Sequence, residues 1–201
     1  IMKNYLALAI CCFAIIFSSC NKTNDPNNPN DPNNPNNNGN DPIVANFVGN
    51  YSGKLATVTK ISFPWNTETD LNTLDFTMNL TPSSESNKVN AHCTAYGQTF
   101  NTVGTITNDR VKFEPSSVSV SASSILHLDS LNIGDYNISQ FLNANVDLTF
   151  DFSGQMKHDA ILNVDYLYLD GTTYGALTPT VIIPVTFPIN GTAIGRVNKI
   201  Q

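Results

Sequence analysis

Val146-Asp147-Leu148-Thr149-Phe150-Asp151-Phe152 alternates apolar and polar residues without a break. Successive side chains of a strand point to opposite faces, so this stretch puts Val146, Leu148, Phe150 and Phe152 on one face and the aspartates on the other. Leu74, Phe76, Met78 and Leu80 alternate in the same way with Asp75, Thr77 and Asn79, and Val89, Ala91, Cys93 and Ala95 share a third such face. Val118, Val120 and Ala122 stand between serines, and Leu162, Val164, Tyr166 and Tyr168 read as a further apolar face. Tyr51 to Val58, Thr99 to Thr107 and Arg110 to Glu114 are read as strands too. Pro82-Ser83-Ser84, Asn108-Asp109 and Asp170-Gly171 are read as turns. The period is two, not 3.6. Eight or nine strands are expected, with one short helix at Asp135 to Leu142.

Amphipathic strands with tight connections give an all-β fold, expected here as a single antiparallel β-barrel of about eight strands over residues 43–201. A β-sandwich is the alternative. Val181 to Ile189 is the most apolar strand candidate, yet Pro184 and Pro188 each remove a ladder donor. Proline belongs on edges and bulges, so this strand is expected at a seam. A bilayer-spanning barrel would turn the same alternation inside out. Uneven strand lengths and an independent anchor argue against that arrangement.

The anchor is read from the other end of the chain. Lys3 is followed by an apolar run from Tyr5 to Phe17, and Phe17-Ser18-Ser19-Cys20 closes it. That layout is an export signal, with residues 1–19 as the signal peptide and Cys20 as the site of lipidation. The apolar run is shorter than the roughly 20 residues a membrane-crossing helix needs. Phe17 is bulky where a cleavage site of the ordinary secretory kind wants a small residue, and it also departs from the leucine usual in lipoprotein signals. Cys11 and Cys12 leave with the signal.

Residues 20–42 form the expected tether. Asp25-Pro26-Asn27-Asn28-Pro29-Asn30 recurs as Asp31-Pro32-Asn33-Asn34-Pro35-Asn36. Prolines apart, residues 25–41 contain nothing apolar, so the segment cannot bury surface to offset ordering entropy. Frequent proline biases it to an extended coil of about 3 Å per residue, a reach of roughly 70 Å at the limit. A lipid-anchored protein of the cell envelope, on the outer membrane, is the localisation these features imply.

The opening of the folded part, Phe47-Val48-Gly49-Asn50-Tyr51-Ser52-Gly53-Lys54-Leu55, placed after a Cys-terminated signal and a polar tether, resembles the calycin-like, lipocalin-like barrel lipoproteins of Bacteroidota. The resemblance covers roughly residues 47–197 and rests mainly on the Gly-x-Tyr-x-Gly opening. It implies a lipocalin-like barrel without assigned activity. The same background makes Asp129-Ser130-Leu131 a short acceptor pattern for O-glycosylation at Ser130.

Chemistry is sparsely marked. There is no Gly-x-Ser-x-Gly elbow, no His-Glu-x-x-His, no Cys-x-x-Cys and no phosphate loop. His127 and Asp129 are read as sharing a strand face, half of a triad but more simply a surface hydrogen bond. His158-Asp159 sits beside a hairpin turn. Asp165 and Asp170 hint at calcium without the dense spacing such a loop needs. His92 points away from the face of Cys93, which reads as a buried small hydrophobe and cannot pair with it. No cofactor, no metal and no enzymatic activity are expected. Formal charge is −6 with the basic residues scattered singly, which excludes a stripe for nucleic acid.

Two functions remain. The first is a non-enzymatic binder of a small apolar molecule or glycan, with Tyr166 and Tyr168 lining the barrel. The second is a structural or interaction subunit with a solid core. Trp65, in Phe63-Pro64-Trp65-Asn66, is read as a lid on the core, or else as a sugar-stacking residue.

Overall fold

The computed structural model describes residues 41–127, 144–179 and 185–200. Cys20, the repeat, the helix expected at Asp135 to Leu142, Asp129, Ser130 and Pro184 lie outside them. Helix α1 (Pro42–Phe47) leads into β1 (Gly49–Ser62), β2 (Thr67–Pro82), β3 (Lys88–Ala95), β4 (Gln98–Thr107), β5 (Arg110–Phe113) and β6 (Ser116–Ser121). The short helix α2 (Ala122–Ile125) separates β6 from β7 (Asn145–Asp159), β8 (Val164–Leu177) and β9 (Phe187–Ile200).

All nine strands belong to one antiparallel sheet in the order β5-β4-β3-β2-β1-β9-β8-β7-β6, and β5 also pairs with β7. That last pairing joins the sheet into a barrel-like ring of eight strands, with β6 continuing along β7. The β-sandwich is therefore replaced by a single closed sheet. The seam does not lie where Pro184 and Pro188 put it. Strand β9 is bonded to β1 on one side and β8 on the other. Pro188 sits one residue before the β1 ladder begins, at Ile61–Ile189, and faces only β8 there, so its missing N–H costs nothing on the β1 side. The ring closes instead at Arg110–Gln155 to Lys112–Ser153, where Lys112 pairs with Asp151 and Gln155 donates to Asp109 at 2.7 Å. One residue is gained at Glu114-Pro115, since Lys112 faces Ser153 while Ser116 faces Phe150. This bulge turns β5 into β6.

The inward stripes of β2, β3, β6 and β7 are those the alternation predicts, with Phe76, Met78, Cys93 and Val146 all nearly inaccessible. On β8 the expectation is reversed. Leu167, Leu169, Thr173 and Leu177 are buried, while Tyr166 and Tyr168 lie half-buried on the outer wall. Leu162 is in the β7–β8 turn, 63% exposed. Residues 166–169 alternate tyrosine and leucine, so both parities are apolar there, and cations on neighbouring strands lie over the parity that turns out. Arg196 lies over the Tyr166 ring at 4.0 Å and Lys157 over the Tyr168 ring at 4.8 Å, which favours the tyrosines outside and the leucines inside.

Asp170-Gly171 is likewise strand, not turn. A Cβ on Gly171 would lie 2.4 Å from the Asp151 carbonyl oxygen, so the glycine admits close approach of β7. The Gly-x-Tyr-x-Gly opening is explained in the same terms. Tyr51 is buried and donates to the Phe47 carbonyl at 2.7 Å, tying α1 to the first strand. A Cβ on Gly53 would meet the Arg196 carbonyl at 2.1 Å. The motif thus builds the wall and is not a binding signature.

The ring has an entry end and a far end. At the entry end α1, capped by Asp41 and with Val44 and Phe47 buried, precedes β1, so Pro42 belongs to a helix and not to the tether. The β7–β8 turn and the end of β9 lie at the same end, because Asn50 pairs with Ile200, Tyr166 with Asn198 and Asp159 with Val164. At the far end are the β1–β2 and β3–β4 turns and α2.

Candidate functional site

Among the described residues, five aromatic side chains pack against one another inside the ring. Phe152 lies 4.7 Å from Phe113, 5.9 Å from Phe76 and 6.5 Å from Phe150, and Phe150 stacks on Phe100 at 5.2 Å. None of these five rings is more than 6% exposed. An eight-stranded ring is just wide enough for side chains to fill, and these five rings meet inside it.

Polar chemistry gathers at the far end. Asp70 of β2, Thr59 of β1 and Thr173 of β8 are all buried in one row, Thr59 facing Asp70 on one side and Gly191 of β9 on the other, with Gly191 facing Thr173. Asp70 accepts twice from one residue, from the His127 backbone N–H at 3.0 Å and from Nδ1 at 2.8 Å. His127 thus pairs with Asp70, 57 positions away; the expected pairing with Asp129 falls outside the described residues. His127 follows α2 and is not in a strand. Its side chain is 55% exposed while that of Asp70 is 7% exposed.

Tyr96 completes the cluster. It takes a left-handed backbone (φ 52°) at the Tyr96-Gly97 turn between β3 and β4, whereas Asn87, Asn108 and Asn163 fill this conformation at the other turns. A bulky residue there is strained. Its ring packs on the core. Burial pushes the phenol pKa up; a hydrogen bond with Thr57 opposes the shift and the charge of Asp70 adds to it. A carboxylate holding an imidazole by Nδ1 is half of a hydrolytic arrangement. Thr59, the hydroxyl in register with Asp70, is only 4% exposed, which suits packing and not attack on a substrate. The double grip on ring and backbone fastens the chain after α2 to the wall.

Above this layer, Trp65 stacks on Phe63 at 5.3 Å and meets Phe187 at 6.5 Å, so it folds onto the core as a lid while staying 44% exposed. The other candidates stand apart. His158 pairs with Asp165 at 2.8 Å and Asp159 with Arg196 at 2.6 Å, both at the entry end. Asp165 and Asp170 fall on opposite parities of β8, so the strand does not bring them together. Cys93 is fully buried, and burial pushes its thiol up to about 12. On the outer wall, the Glu114-Pro115 bulge leaves an open groove lined by Asn90, His92, Asn101 and Thr102, with His92 Nδ1 2.7 Å from Asn101 Oδ1. Nothing in the sequence marks this groove, because its residues come from three strands and a bulge. No family model matches the chain, and no curated protein matches it.

Proposed function

We propose that this chain is an exported, Cys20-acylated envelope protein that acts by contact through its outer surface, carrying no ligand inside and catalysing no reaction. The observation that supports this most is the packed cluster of Phe76, Phe113, Phe150 and Phe152, which occupies the space a lipocalin-like carrier would leave for cargo. The calycin-like likeness of the opening is kept at the level of architecture. Tyr166 and Tyr168 cannot line an interior site, since they are turned outward beneath Arg196 and Lys157. The polar outer wall, with Asn50, Ser52, Thr77 and Asn79 outward on β1 and β2, argues for a domain outside the bilayer. Titration with a panel of apolar fluorescent probes tests the reading. No saturable uptake is expected while the fold stays intact; one-to-one uptake would overturn it.

A further inference from the structure

Eight large apolar side chains are exposed among the described residues, and four of them, Ile43, Ile161, Leu162 and Ile200, sit at the entry end. Ile161 and Leu162 form the tip of the β7–β8 hairpin and are 94% and 63% exposed. Hairpin tips ordinarily carry Gly, Asn, Asp or Ser, and a β-branched residue is a poor choice there. The tip is nevertheless built firmly. Asp159 Oδ1 accepts from the N–H groups of both Ile161 and Leu162 at 3.1 Å, its other oxygen is held by Arg196 at 2.6 Å, and Asn163 (φ 51°) completes the turn. Two aliphatic side chains are thus held in water by a braced loop. Behind them on the outer wall stand Tyr166 and Tyr168, each under a cation. An apolar tip backed by amphipathic rings and long cationic side chains matches the layering of a membrane interface.

The described chain begins at the same end, where α1 precedes β1. We infer that the Ile161-Leu162 hairpin tip is a second membrane contact, inserting into the phospholipid surface to which the Cys20 lipid holds the chain. The inference rests on the anchor reading for its choice of occupant. A flexible tether confers an effective concentration in the millimolar range, so a contact too weak to recruit a free protein suffices for a tethered one. Charge does not drive it: Lys157, Arg196 and Lys199 at this end are offset by Asp41, Asp159 and Asp165. The contact is apolar, indifferent to salt and satisfied by neutral lipid.

The test uses the acylated full-length chain in phosphatidylcholine vesicles, with an environment-sensitive fluorophore on Leu162→Cys or, at the far end, Thr67→Cys. Buried Cys93 does not compete for the label. Bromine-labelled acyl chains should quench the label at 162 and leave that at 67 bright, at low and high salt alike. Equal quenching at both positions, or none at 162, overturns the inference. Unlipidated Cys20→Ser chain should partition weakly onto the same vesicles, with Ile161→Asp/Leu162→Asp lowering that partition by about tenfold. Equal partition of the two chains overturns it. Label at 162 that is shielded in vesicle-free solution as protein concentration rises makes the tip a contact between copies and also overturns it. Intact mass reports acylation separately, so an unmodified Cys20 would remove the anchor without touching the tip measurement.

Discussion

Truncating Phe152 to alanine removes a ring that touches Phe76, Phe113 and Phe150 and is 5% exposed. Two losses add. Fully burying a Phe side chain contributes about 1.5–3 kcal/mol of transfer free energy. A phenyl-sized hole of about 100 Å³ adds about 2.4 kcal/mol at ~24 cal/mol per Å³ if the wall does not collapse. The wall has little room to collapse, because it is a hydrogen-bonded ring. A loss of roughly 4 kcal/mol is expected, a large share of the 5–15 kcal/mol typical of a domain. At about 2–4 °C per kcal/mol for a chain of this size, the melting temperature should fall by roughly 8–16 °C. Guanidinium denaturation with an unchanged slope would show that the loss belongs to the folded state. The new cavity is lined by apolar rings and should stay dry and take up benzene, which wild type should refuse. A loss below about 1.5 kcal/mol, the lower bound of the transfer term, with benzene bound equally by wild type, would refute the argument.

Asp70→Ala should cost about 1 kcal/mol by removing both of its hydrogen bonds to His127, and it should speed amide exchange across residues 122–127 ahead of the rest of the barrel; uniform exchange would deny the fastening role. Tyr51→Phe should cost about 1 kcal/mol through the lost bond to the Phe47 carbonyl, read by chemical denaturation. Stability should fall as pH rises above about 9, because the unfolded chain loses its Cys93 proton near 9.0 while the folded chain retains it until about 12. Buried Tyr51, raised in the same direction, should add to the fall at higher pH. Cys93→Ala should flatten the first part of that decline in melting temperatures measured from pH 8 to 11. Deleting residues 25–36 should leave the melting temperature within about a degree of wild type, since their Asn, Pro and Asp composition offers almost no apolar surface to bury; a larger fall would mean that the repeat packs on the domain.

The alternation was a sound guide wherever one parity was apolar and the other polar, as in β2, where Leu74 to Leu80 are inside and Asp75 to Asn79 outside. It misled on β8, where tyrosine and leucine alternate and either set could face the core. The deciding cations, Lys157 and Arg196, lie on other strands, and only the register brings them over the tyrosines. The far-end cluster was hidden for a similar reason. His127 follows α2 instead of lying in a strand, and Asp70, 57 positions away, reaches it from across the ring. The closure at β5–β7 was equally illegible, because Pro184 and Pro188 advertise an edge more loudly than the one-residue bulge at Glu114-Pro115 that makes the seam.

The central claim, a filled barrel that works from its outside, meets its most direct test in the mass of the protein purified from its own envelope. Native mass spectrometry should give the mass of the acylated chain with no bound small molecule, and the same mass after denaturation apart from lost water and salt. A small apolar molecule or glycan released in one-to-one amount on denaturation would contradict the account and restore the carrier.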